Sequence, residues 1–450
     1  MISYDLKKIS ETVNGTLLGD PEVRIKGVHF DSRAAREGML FAPIIGEKVD
    51  GHSFVADLLK KGIAASFWQK DDPLPVPEGN IIIVDDVQTA LQALAADYRR
   101  TLSCHFIGVT GSSGKTSTKD IVSSVVSRKY RTCKTFGNQN NDLGVPLTVM
   151  NVDDDAEYVV AEMGINDIGV MDRLVTMVQP EITVISSIGP AHIAQLGSMD
   201  GIVEQKCLIN RDLGDGQCFY NQHSYGLKEH LQSLNLHNRP IGYGFEEDCD
   251  IRAEDYCLND EGTSFSCRGR SYSLPILGRH QVLNALAAIG IGEKLGIEYE
   301  QIREGLACVQ LTPHRLQLKR IRDAVIIDDS YNCNPSSLVA SLQMVRQYNR
   351  SYHKTVVIGD MLELGETSPQ LHSGIADEID FRQFDQIVLV GREVEALAAN
   401  LASQGIAYRL FTDNAEVRQY LLPYLKKGNV LFFKASNGMH FASLIDSLEE

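Results

Sequence analysis

The chain has 450 residues, and its 43 lysine and arginine residues against 59 aspartate and glutamate residues give a formal net charge of −16. At about 150 residues per domain, this length predicts about three domains. The acidic balance argues against a nucleic-acid-binding protein, because surfaces that follow a phosphate backbone need clustered lysine and arginine. It does not exclude small anionic ligands, which need only a local positive pocket.

The sequence carries no signal for export or membrane insertion. Its first ten residues, MISYDLKKIS, lack the apolar core of a signal peptide. No stretch approaches the roughly 18 to 20 apolar residues that cross a bilayer. The nine cysteines include no CxxC pair, which favours reduced thiols over a disulfide framework or a zinc site. We therefore expect a cytoplasmic protein.

Residues 1–83 form the first predicted domain. Its short β-type runs are VRIKGVHF, MLFAPI and AASFW, and one segment, HSFVADLLKKGI, has the apolar spacing of a one-sided helix. The stretch QKDDPLPVPEGN, with three prolines and a glycine, is typical of a loop near the edge of this domain.

Residues 84–313 alternate strands and helices, which predicts a parallel α/β sheet. The buried strand IIIVDD and the helix VQTALQALAADYRRTL lead into this domain. The predicted strands HFIGVT, AEYVVAEMG and ITVISSIG each end in polar or glycine residues, where a ligand can bind at the sheet edge. A meander of short strands follows at about 240–276, and then the helix HQVLNALAAIGIGEKLG.

Residues 314–450 repeat the alternation in a smaller unit, with the predicted strands AVIIDDSYN, TVVIGDM, QIVLVG and NVLFFKAS. This pattern predicts a second α/β unit of Rossmann-like character. Three α/β blocks in one chain are typical of an enzyme that gathers several ligands in clefts between domains.

The most specific local signal is the glycine-rich segment HFIGVTGSSGKTSTKD at 105–120, between a predicted strand and a predicted helix. Glycines let the backbone wrap a phosphate chain, and N–H groups at a helix start favour negative charge. Lys115 is placed to reach the terminal phosphates and Thr116 to bind Mg²⁺. The full Walker A spacing needs glycine at position 109, where valine stands, so a glycine-rich turn with a chance lysine is the alternative. The strand–loop–helix context favours an ATP site formed by Gly111, Ser112, Ser113, Gly114, Lys115, Thr116 and Ser117.

Further motifs in collinear order resemble the Mur ligases of peptidoglycan synthesis. They are FGNQNNDLGVPLT (136–148), AEMGIND (161–167), GPAHIAQLGS (189–198), LGRHQVLNALAA (277–288), DDSYNCNPSS (328–337) and GDMLELG (359–365). Nearer the N-terminus, DSR (31–33), Phe41 and DGHSF (50–54) resemble the UDP-sugar domain of that family.

The resemblance implies a three-domain α/β ligase with a UDP-muramoyl-peptide domain at 1–83, a central ATP-binding domain at 84–313 and a Rossmann-like domain at 314–450. Within the family, the chain is most similar to the enzymes that join D-alanyl-D-alanine to UDP-N-acetylmuramoyl tripeptide, with ATP and Mg²⁺, in the synthesis of cell-wall precursors. Such a ligase phosphorylates a carboxylate before an amine attacks, so cations are needed between two anions. We expect a monomer.

The resemblance assigns catalytic or metal-binding roles to Lys115, Thr116, Glu162, His192 and Lys206, with Lys206 a metal ligand only if it is carbamylated. Since Glu162 ends one predicted strand and His192 follows another, we expect both at the loop edge of the sheet. A solvated acid at Glu162 and a solvated helix lysine at Lys206 are the alternatives.

The remaining nucleotide contacts implied by the resemblance lie near the C-terminal half of the chain. His280 and Asn284 are four apart on one helix face. The resemblance assigns Asn284 to adenine and His280 to a supporting contact. Arg315 and Asp329 are assigned to the phosphates and the ribose. A helix cap is the alternative role for His280.

The implied substrate contacts lie in three separate segments, and ordinary polar loop or turn residues are the alternative for the second and third. These contacts are Asp31, Ser32, Arg33 and Phe41, then Asn138, Asn140 and Asn141, and finally Tyr331, Asn332 and Asn334.

Four positions depart from the pattern of the family: Asp167, Val170, Leu208 and Asn437. They motivate a second hypothesis, a Mur-like ligase that acts on a different amino acid or peptide. A third hypothesis is a non-enzymatic ATP-binding regulatory or scaffold protein, against which the retained Lys115, Glu162, His192 and Lys206 speak.

Overall fold

The computed structural model describes residues 1–46, 49–259 and 262–449. The chain divides into two compact units, Met1–Ile188 with His192–Gly242 and Gly189–Ala191 with Tyr243–Glu450. Parallel strand pairs predominate in their sheets, so the predicted α/β class is confirmed.

The N-terminal part of the first unit is a five-stranded sheet in the order β1-β5-β4-β3-β2, with β1 antiparallel to β5 and the other pairs parallel. Its strands are β1 Thr16–Leu18, β2 Val28–His29, β3 Leu40–Phe41, β4 Ala65–Gln69 and β5 Ile81–Val84, and its helices are α1 Leu6–Thr12, α2 Val55–Lys60 and α3 Val87–Arg99. The predicted helix HSFVADLLKKGI begins as a 3-10 turn at Gly51–Phe54, where the Asp50 carboxylate accepts a hydrogen bond from the His52 N–H.

The rest of the first unit holds five parallel strands in the order β10-β9-β6-β8-β7. They are β6 His105–Thr110, β7 Thr132–Lys134, β8 Tyr158–Glu162, β9 Ile182–Ile185 and β10 Gln217–Asn221. The helices are α4 Lys115–Val126, α5 Gly144–Met150, α6 Val170–Val178, α7 Ile193–Leu196, α8 Met199–Cys207 and α9 Leu227–Ser233. Because the strands are parallel, the ends of β6, β8 and β9 lie at one edge, which is where the predicted phosphate loop begins.

The second unit resumes within β11 of the predicted meander, in which β11 runs parallel to β12, and β12, β13 and β14 are antiparallel. These strands are β11 Ile241–Gly244, β12 Ile251–Asn259, β13 Gly262–Cys267 and β14 Arg270–Leu274, and the helices α10 Arg279–Lys294 and α11 Tyr299–Ala307 follow.

The C-terminal part of the second unit is a six-stranded sheet in the order β15-β16-β20-β17-β18-β19, parallel except for β15. The strands are β15 Gln317–Ile321, β16 Ala324–Asp328, β17 His353–Gly359, β18 Gln386–Val390, β19 Arg409–Phe411 and β20 Asn429–Lys434. The helices are α12 Pro335–Gln347, α13 Ser368–Glu378, α14 Glu395–Ser403, α15 Asn414–Leu421 and α16 Phe441–Ser447. The predicted strands in this region are therefore confirmed.

Among the described residues, the helices are all too short or too polar to span a membrane.

Candidate active site

The phosphate loop lies between β6 and α4, as predicted, and two serines after β9 hold it. A Cβ on Gly111, whose φ is 149°, would lie 2.1 Å from the Ser186 hydroxyl oxygen, so this position requires glycine. The Ser187 carbonyl accepts a hydrogen bond from the Ser112 N–H at 2.7 Å. The Ser186 hydroxyl donates to the Ser113 carbonyl at 2.6 Å. The loop is thus fixed before any ligand binds.

Lys115 opens α4 and lies over the backbone of the loop. Its Nζ donates to the Gly111 carbonyl at 2.8 Å and to the Ser112 carbonyl at 3.3 Å. Gly114, just before the helix, has a left-handed backbone with φ 82°. A cation beside N–H groups at a helix start is a favourable place for phosphate oxygens. Ser117, the third residue of α4, is buried.

Glu162, the last residue of β8, lies at the centre of the polar groups in this unit. Its side chain is fully buried, which contradicts the alternative of a solvated acid. Oε1 accepts hydrogen bonds from the Thr116 hydroxyl at 3.0 Å and from Asn140 Nδ2 at 2.7 Å. Oε2 lies 3.7 Å from Lys119 Nζ and accepts no hydrogen bond from any residue that the structure describes.

A divalent cation fits this donor set. Carboxylate and hydroxyl oxygens are the hard donors that Mg²⁺ prefers. A buried oxygen without a hydrogen bond, such as Glu162 Oε2, costs free energy until a partner arrives. Thr116 and Glu162 therefore form a candidate Mg²⁺ site beside the phosphate loop.

Lys206, in the last turn of α8, is only 1% exposed, which contradicts the alternative of a solvated lysine. Within residues 1–46, 49–259 and 262–449, its ammonium has no hydrogen-bonding or ionic partner. Burial lowers the pKa of Lys206 well below its ordinary value, and repulsion from the Lys115 ammonium lowers this pKa further. The side chain is thus held near the phosphate loop in an environment that disfavours its charge.

His192 follows β9, as predicted, and its backbone is left-handed with φ 58° just before α7. The residue is exposed. Its role as a metal ligand stays a prediction.

The loop at 137–144 is held by its own asparagines. Asn140 donates to Glu162, and its carbonyl accepts a hydrogen bond from the Gly164 N–H at 2.7 Å. Asn141 Oδ1 accepts a hydrogen bond at 3.0 Å from the N–H of Gly144, the first residue of α5. Asn138 is exposed. Asn140 and Asn141 therefore shape the loop, and their predicted contacts with substrate stay predictions.

In the N-terminal part, Asp31 and Arg33 form a two-pronged ion pair around Ser32. Arg33 Nη2 donates to Asp31 Oδ2 at 2.7 Å, and Arg33 Nε donates to Oδ1 at 2.9 Å. Hydrogen bonds from Arg33 lower the pKa of Asp31 to about 2. The Arg33 side chain is 88% exposed, so it remains accessible to a ligand.

The prediction that Phe41 contacts the substrate is wrong for its side chain. The ring is fully buried in an apolar cluster with Val55, Leu58, Ile63, Trp68 and Ile81. The position of β3 is the reason: it lies between β2 and β4 in the sheet, and both of its residues, Leu40 and Phe41, are buried.

His52 of the DGHSF segment is also buried and fixes the fold locally. Its Nε2 accepts a hydrogen bond from the Gln69 N–H at 3.1 Å. Its Nδ1 lies 2.7 Å from Asp50 Oδ1 and 3.2 Å from Asp72 Oδ2. Because Nε2 is a hydrogen-bond acceptor, the ring proton is on Nδ1. This N–H faces the carboxylates of Asp50 and Asp72.

In the second unit, the predicted nucleotide contact Asp329 is a buried and fully engaged carboxylate. Oδ2 accepts hydrogen bonds from Lys434 Nζ at 2.5 Å and from the Ser341 hydroxyl at 2.8 Å. Oδ1 accepts from the Leu316 N–H at 3.3 Å. A ligand that binds Asp329 must therefore share it with Lys434.

Arg315 stacks on Tyr331, with its guanidinium carbon 4.0 Å from the centre of the ring. The two residues that flank it, His314 and Leu316, have φ values of 63° and 50°. Left-handed backbone at such residues is strained and commonly marks a functional segment. The Arg315 side chain is thus directed by its backbone and by the aromatic face.

His280 lies in the first turn of α10, and Gly278 rather than His280 caps that helix. Burial lowers the pKa of His280 to about 4, although Asp329 opposes this shift. The imidazole is therefore neutral at pH 7. Asn284 is buried and donates to Gln281 Oε1 at 2.9 Å, and its predicted contact with adenine stays a prediction.

Asn332 and Asn334 have turn and capping roles, as the alternative predicted. Asn332 Oδ1 accepts a hydrogen bond from the Cys333 N–H at 2.9 Å. Asn334 caps α12, accepting from the Ser337 N–H at 2.9 Å in a capping box. Asn332 nevertheless remains exposed, so its side chain is accessible to a ligand.

Four residues at these sites were missed by the sequence interpretation: Lys119, Ser186, Ser187 and Lys434. Lys119 lies one helical turn after Lys115, a spacing that could have identified it. Ser186 and Ser187 follow β9 directly, and strand ends at this edge are the expected place for ligand-side residues.

The positions that depart from the family pattern lie in different settings. Val170 begins α6 and is buried, whereas Asn437 is exposed at the start of a 3-10 turn. The Asp167 carboxylate accepts a hydrogen bond from the Ile168 N–H at 2.7 Å. Leu208 opens the 3-10 turn after α8, two residues after Lys206.

Comparison with known proteins gives matches along the chain. Family models match at residues 24–99 (Mur ligase family, catalytic domain), 109–292 (Mur ligase middle domain) and 314–437 (Mur ligase, glutamate ligase domain). The UDP-N-acetylmuramoyl-tripeptide–D-alanyl-D-alanine ligase of Bacillus subtilis is 35% identical, over 100% of this chain and 99% of that protein. The Escherichia coli protein of the same name is 29% identical, over 88% of each chain.

Solved structures agree with these matches. The crystal structure of MurF from Acinetobacter baumannii is 30% identical and superposes with a TM-score of 0.88, over 100% of this chain and 99% of that one. MurF from Thermotoga maritima, solved in complex with ADP, is 24% identical and shares the fold, with a TM-score of 0.82 over 94% of this chain and 97% of that one. The chain belongs to the Mur ligase family.

Proposed function

We propose that this protein is an ATP-dependent ligase that joins D-alanyl-D-alanine to UDP-N-acetylmuramoyl tripeptide and releases ADP and phosphate. The full-length similarity to ligases with that name supports the reaction. The observation that carries the proposal in this chain is the cluster of Lys115, Thr116 and Glu162 at one sheet edge. We infer that the reaction takes place in the cytoplasm and supplies a cell-wall precursor.

The phosphate loop is the proposed ATP site. Backbone N–H groups at the start of α4 and the Lys115 ammonium bind the phosphates. Thr116 and Glu162, together with His192, are the proposed ligands of Mg²⁺, which would supply positive charge to the phosphates when bound. His280, Asn284, Arg315 and Asp329 are the proposed contacts to the rest of the nucleotide.

The reaction proceeds in two displacements. A carboxylate oxygen of the tripeptide attacks the γ-phosphorus, and the bond from that phosphorus to the departing ADP oxygen breaks. The amine nitrogen of D-alanyl-D-alanine then attacks the acyl-phosphate carbon, the bond from that carbon to the phosphate oxygen breaks, and the proton that the nitrogen loses passes to solvent. In this chain, the Lys115 ammonium stabilises the negative charge that shifts from the γ-phosphate to ADP during the first displacement. The fixed loop keeps the phosphates in position without further reorganisation.

Lys206 is the proposed site of carbamylation. A primary amine reacts with CO₂ only when it is neutral, and burial with no partner among the described residues favours that form. The carbamate would replace a disfavoured ammonium by an anion beside Lys115. It would also add a carboxylate-like oxygen donor for Mg²⁺.

The proposed substrate contacts are the exposed Arg33 with Asp31 and Ser32, the asparagines of the loop at 137–144, and Tyr331 with Asn332. The exposed Arg33 guanidinium suits an anionic group of the UDP-sugar, because its planar fork matches phosphate oxygens. The second candidate is a Mur-like ligase that uses a different amine. It is motivated by the departures from the family pattern at Asp167, Val170, Leu208 and Asn437.

The test is the formation of ADP and peptide product from ATP with each pair of UDP-muramoyl peptide and amine, read by mass spectrometry. We expect product only when UDP-tripeptide and D-alanyl-D-alanine are both present. ADP release that is indifferent to the dipeptide would reject the proposal. Product with another amine would favour the second candidate.

A further inference from the structure

We propose that Lys119 is a positioning residue of the ligase reaction: it fixes the metal-binding carboxylate of Glu162 and joins it to the loop at 137–144. The inference rests on the proposed function, in which Glu162 binds Mg²⁺ and that loop binds the UDP-muramoyl peptide. Lys119 lies after the phosphate loop and is not among the proposed contacts to ATP, Mg²⁺ or substrate.

The helix α4 presents Thr116 and Lys119 to the same carboxylate. The two residues are three apart, so they lie on one face of the helix. Thr116 is 3% exposed and contacts Glu162 Oε1 at 3.0 Å, whereas Lys119 is 1% exposed and lies 3.7 Å from Oε2. One helix face therefore contacts both oxygens of Glu162.

Lys119 is also anchored independently of Glu162. Its Nζ lies 3.7 Å from Asp120 Oδ1 and donates to the Gly137 carbonyl at 3.3 Å. Asp120 in turn accepts a hydrogen bond from Lys134 at 2.6 Å. Two cations thus face two carboxylates, and Lys119 remains in place while the contacts of Glu162 change. A cation anchored in this way restricts where Oε2 can lie.

The same ammonium connects the carboxylate to the loop at 137–144. The loop reaches the cluster twice: Gly137 accepts the hydrogen bond from Lys119, and Asn140 donates to Glu162 Oε1. Removal of Lys119 therefore disturbs both ends of this connection. We expect the affinity for metal and the affinity for the UDP-peptide to change together.

A purely structural ion cluster is the competing explanation, and a matched pair of variants separates the two. Lys119→Met keeps the length of the side chain and removes its charge. Lys134→Met removes the other cation of the cluster, whose contact in the described part of the chain is with Asp120 and not with Glu162. A structural role predicts that both variants act through stability alone.

The experiment measures three quantities for each full-length variant: the Mg²⁺ concentration at half-maximal rate, the KM for UDP-tripeptide, and the hydrogen exchange of residues 137–144 without ligand. For Lys119→Met we expect the half-maximal Mg²⁺ concentration to rise about 10-fold or more, since partners of metal ligands typically tune affinity by 10- to 100-fold. The KM rises with it, and exchange in the loop accelerates. Lys134→Met leaves all three near the wild-type values, and Lys119→Arg restores part of the Mg²⁺ dependence.

Two outcomes would overturn the inference: unchanged Mg²⁺ dependence and unchanged loop exchange in Lys119→Met, or equal changes in Lys134→Met. If Lys119→Met does not fold, Lys119→Gln removes the same charge, and unchanged Mg²⁺ dependence with unchanged loop exchange in that variant rejects the inference. If the wild-type protein forms no product, the proposed function fails. The inference is then decided by titration of Mn²⁺ into the wild-type and variant proteins, where equal affinities contradict it.

Discussion

Two helices of the first unit each bury a lysine to the same extent, yet the surroundings of these lysines differ. Lys119 on α4 and Lys206 on α8 are both 1% exposed. Lys119 lies 3.7 Å from two carboxylate oxygens and donates to a carbonyl. Lys206 has no such partner among the described residues, and the charge that acts on it comes from another lysine, Lys115. Burial alone therefore does not determine what a lysine does.

The difference separates a lysine that holds other groups from a lysine that is available for chemistry. A buried lysine that is paired with carboxylates is held in one position, and its removal destabilises the protein because the carboxylates stay buried without a partner. An unpaired buried amine is driven towards its neutral form, which is the form that reacts. The proposed roles of the two lysines follow this difference: Lys119 positions other groups, and Lys206 is the site of carbamylation.

The largest expected effect is on activity in Lys206→Ala. We expect a loss on the order of 1,000-fold, because a group that stabilises charge in the reaction is removed. Added acetate or formate should restore part of the rate if a carbamate normally supplies the missing oxygen. ADP release measured with and without these carboxylates provides the check.

The control for this rescue is Lys119→Met, which carboxylates should not restore, since its defect is the loss of a cation. Full activity of Lys206→Ala without rescue would reject the proposed role of Lys206. If carboxylates restored the activity of both variants equally, the proposed difference in role between Lys119 and Lys206 would be wrong.

The second effect compares the same substitution at both positions through the free energy of unfolding. Lys119→Met should lower it by about 3 kcal/mol, because Glu162 and Asp120 then lack their shared buried cation. Lys206→Met should leave it unchanged or raise it by about 1 kcal/mol, because a buried polar group without a partner is replaced by an apolar one. Denaturant unfolding at pH 7 measures both changes, and changes of the same sign and size would contradict the comparison.

The sequence predicted the chain order of the strands and the phosphate loop well, because these depend on local apolar runs and on glycines such as Gly111. It also placed Glu162 correctly at the end of a strand, whereas the metal-binding role of this residue came from the resemblance to the Mur ligases and stays a prediction. It did not distinguish Lys119 from Lys206, because their burial and partners depend on how α4, α8 and β8 pack. The prediction for Phe41 failed for a related reason, since a motif does not show that β3 lies inside the sheet with both of its side chains buried.

The third expected effect is a pH dependence of the free energy of unfolding that arises from Lys206. Between its lowered pKa in the folded protein and its ordinary value of 10.5, the unfolded chain binds a proton that the folded chain does not. The free energy of unfolding therefore rises with pH in this window, by at most about 1.4 kcal/mol per pH unit from this group. The contribution is lost as the pH falls towards the folded-state pKa.

Unfolding of the wild-type protein and of Lys206→Met at pH 8 and pH 9, in buffers free of CO₂, measures this contribution. The wild-type protein should gain more stability than the variant over that interval. An identical change in both proteins would mean that Lys206 keeps its proton when folded.

The smallest expected effect on stability is at the pair of Asp31 and Arg33, because this ion pair is exposed whereas Lys119 and Lys206 are buried. Arg33→Gln should not measurably move the denaturation midpoint, because an exposed ion pair is well solvated and screened by salt. The KM for the UDP-peptide should nevertheless rise several-fold if Arg33 contacts that substrate. Steady-state kinetics beside thermal unfolding provide the measurement. A shifted midpoint with an unchanged KM would make Arg33 a structural residue, because the exposed guanidinium would then stabilise the fold without touching the ligand.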